Sequence, residues 1–206
     1  MTAPLGVVLA GGQARRMGGG DKGLLQLGQG TILDQVMARL EPQVPRIALN
    51  ANGDTHRFDR FGVPVLSDSV AGFPGPLAGV LAGLDWASDQ GAETIVTVAA
   101  DTPFFPCDLV PRLQMAAEGM ETPLALAATP DPQKGQVRHP TFGLWPVALR
   151  EDLRAALMDG VRKVVLWTDK HGALTAHFPI TAGDPFFNVN TPRDLERAQT
   201  MMDPAK

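Results

Sequence analysis

Cysteine is nearly absent from this sequence: Cys107 stands alone among 206 residues. No disulfide can form within the chain, and a reducing cytoplasm is the simplest compartment for it. Cys107 sits in Phe105-Pro106-Cys107-Asp108 with no histidine nearby in sequence. It reads as a small packing residue rather than a nucleophile. Histidine is scarce as well. His56, His139, His171 and His177 show neither HxH nor HExxH spacing, which argues against a zinc site. Charged residues make up 19% of the chain and the net charge is −4. A general nucleic-acid binder would need a broad basic surface, so that class is set aside. A few local cations can still hold one phosphate group. No apolar run reaches about 18 residues, so no membrane span is expected. The first six residues carry no basic group, and Val7-Val8-Leu9-Ala10 is too short for the core of a signal peptide. That run reads as the first strand.

What is present is enough apolar material, 44% of residues, for one substantial core and one domain over residues 1–206. Short, nearly continuous apolar runs at residues 6–10, 46–50, 63–66, 94–100 and 124–128 read as buried strands. Helical spacing fills residues 32–40, 77–86 and 109–118 between them. The alternation predicts an α/β fold: a Rossmann-like, doubly wound, mostly parallel sheet with helices on both faces. Ligands would then lie at the carboxyl ends of the strands. The second half is less regular. Residues 141–145 read as a strand, 146–158 as a helix starting at a proline, and 177–180 as a short strand. Residues 130–138 are polar, contain proline and glycine, and read as a loop or hairpin tip. Thr191, Pro192 and Asp194 have the order of an N-cap, a first-turn proline and an acid at the positive helix end.

The chemistry begins after the first strand, in LAGGQARRMGGGDKG over residues 9–23. Glycines let backbone N–H groups turn toward an anion, and Arg15, Arg16 and Lys22 add positive charge. This suits a triphosphate, although neither GK[ST] nor GxGxxG is present. A plain surface loop with solvated cations is the other reading of the residues alone. Asp101 follows the strand at 94–100, at the edge where the glycine loop starts. A carboxylate there suits Mg²⁺, and in isolation Asp101-Thr102-Pro103 also fits an Asx turn. Asn188 and Asn190 fall on one side of an extended segment. They either orient an acceptor phosphate, complete a metal shell, or shape the entry to the last helix.

LAGG followed by RRMGGGDKGLL resembles the signature of the nucleotide-diphosphosugar-transferase-like nucleotidyltransferases, roughly LAGGxSxRMGxDK. Within that superfamily the chain is most similar to the molybdenum cofactor guanylyltransferases, the MobA family. ALNAN at 48–52, LSD at 66–68, FPGPLAG at 73–79, ADTP at 100–103 and NVNTP at 188–192 match that family in order. Gln13-Ala14 departs from the wider superfamily, which often has serine at the second position, but the guanylyltransferases also use alanine there.

The resemblance implies a Mg²⁺-dependent transfer of GMP from GTP to Mo-molybdopterin. Leu9, Ala10 and Gly11 would line the guanosine pocket, and Gly12 would also bind GTP. Arg16 and Lys22 would hold the triphosphate, and Asn50 and Asp68 the nucleoside. Residues 74–79, with Gly75, would close over the base, and Asp101 would ligate the metal. Asn188 and Asn190 would face the acceptor. Residues up to about 105 would form the nucleotide-binding part and the rest the acceptor-binding part. Cofactor-synthesis proteins and molybdoenzyme chaperones are the implied partners. Other readings are a cytidylyltransferase or sugar-phosphate nucleotidyltransferase of the same fold, and a non-catalytic nucleotide-binding cofactor carrier.

Overall fold

The computed structural model describes residues 2–11, 21–70, 75–181 and 183–202. Arg16 and Gly12, with Arg15 and Pro74, lie outside the described residues. The chain runs through β1 (Leu5–Leu9), a small antiparallel hairpin of β2 (Gln26–Leu27) and β3 (Gly30–Thr31), and α1 (Ile32–Leu40). Next come β4 (Ile47–Asn50), β5 (Val65–Leu66), α2 (Pro76–Asp89), β6 (Thr94–Ala99) and α3 (Leu109–Ala116). The second half holds β7 (Ala125–Asp131), β8 (Gly135–Pro146), α4 (Arg150–Met158), α5 (Val164–Lys170), β9 (Leu174–His177) and α6 (Pro192–Met202).

Seven strands form one sheet in the order β5-β4-β1-β6-β8-β7-β9. All pairings are parallel except those of β8, which runs antiparallel to both β6 and β7. This is the doubly wound, mostly parallel sheet that the apolar runs predict. Its physical basis is legible along β1 and β6. Val8, Val96 and Val98 enter the core under α1 and α3. Val7 and Ile95 enter the core under α2, α4 and α5. Successive side chains leave opposite faces of a strand, so both faces are apolar and both are covered.

In α1, Leu33, Val36, Met37 and Leu40 make the stripe that meets the first core. Its start is a capping box: Thr31 Oγ1 accepts from the Asp34 amide, and Asp34 Oδ2 accepts from the Thr31 amide. Helix α2 begins at Pro76 behind Gly75, whose φ of +135° suits a residue without Cβ. A satellite cluster of Leu27, Ile32, Val189 and Ala198 packs α6 back onto the β2–β3 hairpin.

Several boundaries differ from expectation. The segment at 130–138 is a hairpin tip, but its turn is confined to 132–134, because β7 and β8 pair from Asp131↔Gly135 upward. Pro146 ends β8 rather than starting a helix, and a 3-10 turn (Val147–Leu149) precedes α4. The strand expected at 177–180 ends at His177. Cys107 is exposed, not packed: Phe105 and Leu109 on either side take the buried positions, and Arg39 Nη1 donates to its Sγ at 3.3 Å.

Strand β8 also kinks. Leu126 pairs with Gly143 and Ala127 with His139, so Pro140, Thr141 and Phe142 bulge out between them. A bulge is where a strand tolerates proline. Thr97 Oγ1 donates to the Thr141 carbonyl and accepts from Trp145 Nε1, which satisfies the polar end of a fully buried tryptophan.

Candidate functional site

Strand β1 lies between β4 and β6, so the chain winds away from β1 on one side and returns on the other. At such a switch point a crevice opens outside the carboxyl ends of the strands. The backbone fixes what stands there. Leu9 C=O accepts from the Ala100 amide at 3.1 Å, and the Ala10 amide donates to Asn50 C=O at 2.8 Å. These two groups therefore extend the sheet by one rung. They bring Asn50 and Ala100-Asp101 to either side of the strand that leads into the glycine loop. Gly11 follows and is exposed.

One group of side chains gathers beside β6. Lys22 Nζ donates to Asn190 Oδ1 at 2.5 Å and lies 3.4 Å from Asp101 Oδ2. A lysine ammonium has three donors, and these contacts use two. Thr102, fully buried, donates from Oγ1 to Asn188 Oδ1 and lies 3.3 Å from Asp101 Oδ1. The Val189 amide donates to the Asp101 carbonyl at 2.8 Å, which locks the segment bearing both asparagines to the end of β6. The side chains of Lys22 and Asp101 keep 18% and 25% exposure, so a ligand can reach them.

A second group stands beside β4. Asn50 Nδ2 donates to Asp68 Oδ1 at 2.9 Å and to Leu66 C=O at 3.1 Å. Asn52 Nδ2 donates to Asp68 Oδ2 at 2.8 Å, and the Asp68 amide donates back to Asn52 Oδ1 at 2.9 Å. Helix α2 meets this group at Gly79. A Cβ there would stand 2.2 Å from Asn50 Oδ1 and 2.9 Å from Leu9 Cδ2. Gly75 marks the start of the same helix.

The structure thus brings Lys22, Asp101, Asn188 and Asn190 into one cluster and Asn50 and Asp68 into another, with Leu9 and Ala10 between. Sequence reasoning passed over Thr102, Asn52 and the Asp21–Arg57 pair. Asn52 is two residues beyond Asn50, and Thr102 follows Asp101, so both had a local signal. Arg57 had none.

On β8, beyond β6, His139 stacks on Phe186 with ring centroids 4.2 Å apart, and its Nε2 is 2.9 Å from Thr129 Oγ1. Burial pushes its pKa down, against the pull of Asp184. A cleft of about 450 Å³ also opens between α4 and α5, beside Leu166 and Trp167. None of the site residues expected from sequence lines it.

Among the described residues, no three His, Cys, Asp or Glu side chains gather as metal ligands. Asp101 offers one carboxylate, and the Asn188 and Asn190 amide oxygens bond Thr102 and Lys22, the two side chains that also contact that carboxylate. That carboxylate suits a cation such as Mg²⁺, which commonly takes one or two carboxylates and completes its shell with water and phosphate oxygens.

The strand order, with its switch point beside β1, is that of the nucleotide-diphosphosugar-transferase-like nucleotidyltransferase fold. Solved structures that share that fold include the following two. Molybdopterin-guanine dinucleotide biosynthesis protein A from Archaeoglobus fulgidus superposes with a TM-score of 0.72 at 21% identity, covering 97% of this chain and 99% of that one. The 4-diphosphocytidyl-2C-methyl-D-erythritol synthase from Anaerococcus prevotii gives 0.73 at 13% identity, covering 96% and 95%. More particularly, the chain belongs to the MobA-like NTP transferase domain family, whose model matches residues 6–172. A molybdenum cofactor guanylyltransferase from Mesorhizobium japonicum is 50% identical over 202 residues, 96% of this chain and 95% of that protein.

Proposed function

We propose that this protein transfers GMP from GTP to the terminal phosphate of Mo-molybdopterin, giving the guanine dinucleotide form of the cofactor and pyrophosphate. The observation that carries this reading is the Lys22–Asp101–Asn190 cluster at the switch point of a chain half identical to a molybdenum cofactor guanylyltransferase. The fold by itself does not choose the base, since a diphosphocytidyl synthase shares it.

In this reading the nucleotide spans both clusters. Asn50 and Asp68 hold the nucleoside, with Leu9, Ala10 and Gly11 under it and the Gly75 end of α2 beside it. Lys22, together with Arg16 and Gly12 of the glycine loop, holds the triphosphate. Asn188 and Asn190 face the acceptor. Residues up to about 105 then bind the nucleotide and the remainder the acceptor, within one continuous sheet.

An oxygen of the acceptor phosphate attacks the α-phosphorus in line. The new P–O bond forms as the bond from the α-phosphorus to the bridging oxygen breaks, and the electron pair leaves with pyrophosphate. The nucleophile is already anionic, so no strong general base is needed, and the protein's work is positioning and charge neutralisation. Lys22 offsets charge on the departing pyrophosphate. Asp101 would hold Mg²⁺, which when bound draws charge from the α-phosphate. Lys22 is the natural partner of Asp101 until phosphate oxygens offer the ammonium another.

The test is pyrophosphate release with GTP, ATP, CTP and UTP, each with and without Mo-molybdopterin. Release confined to GTP with acceptor is expected. Equal release with CTP overturns the guanine assignment, and GTP binding without release overturns the transferase reading for this chain. No described helix is long and apolar enough to cross a membrane. A cytoplasmic setting for the reaction is part of the proposal.

A further inference from the structure

Arg57 joins the two clusters. Its guanidinium forks onto Asp21, with Nε donating to Oδ2 and Nη2 to Oδ1 at 3.3 Å. The same Nη2 donates to the Asn52 carbonyl at 2.9 Å. Asp21 immediately precedes Lys22 and stands at the N-cap position of the 3-10 turn (Lys22–Leu24), where its carbonyl accepts from the Leu24 amide at 3.1 Å. Asn52 is the residue whose side chain exchanges two hydrogen bonds with Asp68. One side chain therefore touches the neighbour of the phosphate-side lysine and the holder of the nucleoside-side carboxylate. It sits in a 3-10 segment (His56–Phe61) anchored by the fully buried Phe58, and Arg57 Cζ lies 4.5 Å over that ring.

We infer that Arg57 is a positioning residue: it sets the separation between Lys22 and the Asn50–Asn52–Asp68 group, and so matches the site to the length of a nucleoside triphosphate. This rests on the nucleotide reading given above. Arg57 needs no contact with reacting atoms. A ligand held at two points gains most when the points are spaced to suit it, because the second contact is then made at high effective concentration. The planar fork suits this task, since two parallel bonds fix direction as well as distance, which a lysine cannot do. The pair is half shielded, with 27% and 19% side-chain exposure, so it is neither an ordinary surface ion pair nor fully desolvated.

The signature is a loss that falls on the whole nucleotide and spares its pieces. The experiment uses the full chain with Arg57→Gln, Arg57→Lys, Asp21→Asn and the Arg57→Gln/Asp21→Asn double variant. It measures kcat and KM for GTP with Mo-molybdopterin, and inhibition by inorganic tripolyphosphate and by guanosine. Arg57→Gln should lower kcat/KM for GTP about tenfold, while both inhibition constants stay within about twofold. Arg57→Lys should recover part of the loss. The double variant should be no worse than Arg57→Gln, as expected for two residues that act as one unit. The inference is overturned if kcat/KM for GTP is unchanged, or if inhibition by either fragment weakens as much as GTP turnover does. Should Arg57→Gln fail to fold, Arg57→Lys and Asp21→Asn decide the matter by the same two readouts. Lys22→Ala separates this inference from the reading beneath it. If that variant binds tripolyphosphate like the parent, the nucleotide reading fails. If it loses tripolyphosphate while Arg57→Gln keeps full turnover, only the role of Arg57 fails.

Discussion

Asparagine at position 101 would keep the size and most hydrogen bonds of the aspartate and remove its charge. A residue that merely shapes a turn tolerates that change, because both residues make Asx turns. A residue that holds a hard cation does not. Pyrophosphate release by Asp101→Asn should fall roughly 10²-fold, by analogy with loss of one transition-state-stabilising group. A Mg²⁺ titration checks it, and near-normal turnover at limiting Mg²⁺ sinks the metal assignment. His139 makes a different prediction, about pH. Burial holds its folded-state pKa below 6.5, so as pH falls through 6.5 the unfolded chain takes up the proton first. Stability is therefore lost with falling pH from 6.5 down to the folded-state value. A plot of Tm against pH should slope in that window and flatten in His139→Gln. An unchanged slope would mean that other groups carry it. At this scale, what the sequence disclosed followed chemical type. Lys22 stands in a glycine-rich loop whose cations suit an anion, whereas Asp101 stands in a motif that alone also fits an Asx turn and is singled out by its place after a strand and by the family resemblance. Arg57 binds Asp21 across 36 positions, and nothing local to either residue marks that pairing.

Two glycines one turn apart in α2 separate function from packing. Both face the sheet, and neither has room for a methyl group. A Cβ on Gly83 would stand 2.8 Å from Val7 Cγ2 and 3.0 Å from Ile95 Cδ1, against core side chains only. A Cβ on Gly79 would meet the amide of Asn50, which its bonds to Asp68 and Leu66 hold in place. Gly83→Ala should cost about 1–3 kcal/mol of stability from overpacking and leave KM for GTP unchanged. Gly79→Ala should expel the Asn50 amide and raise KM for GTP about tenfold, on the scale of a lost buried hydrogen bond. Equal KM values for the two variants would remove Asn50 from the nucleotide site. The elements themselves were legible where periodicity had length to act on. Helix α1 occupies the residues its apolar stripe marks out. Helix α5 is seven residues opening on Val164-Val165, with no side-chain cap, and its formation depends on Trp167 finding Trp145 and Asp152 in the packed molecule. The β2–β3 hairpin has two residues per strand and rests on contacts with α6 that no local window contains.

The molecule as a whole should announce its base preference through heat. On the proposed reading GTP with Mg²⁺ binds the folded chain and not the unfolded one, and a ligand of that kind at about 100 times its Kd stabilises by roughly 2.7 kcal/mol. A larger rise in Tm with GTP than with CTP or ATP is expected, and equal rises with GTP and CTP would sink the guanine preference. The strand order behind that site also has a bearing on how it comes into being. Strand β1 is made before both of its neighbours, and the lysine that follows it bonds an asparagine 168 positions further along the chain. At roughly 5–20 residues per second on the ribosome, Lys22 waits about 10–30 s for Asn190 to be synthesised. Until then β1, β4, β5 and β6 can pair and the Asn50–Asp68 group can form, while the lysine side of the crevice has no Asn190 to meet. On the proposed reading a nascent chain would thus acquire a place for a nucleoside well before it could complete the cluster assigned to the phosphates, and stalled or truncated chains would be silent as catalysts although much of their sheet had formed.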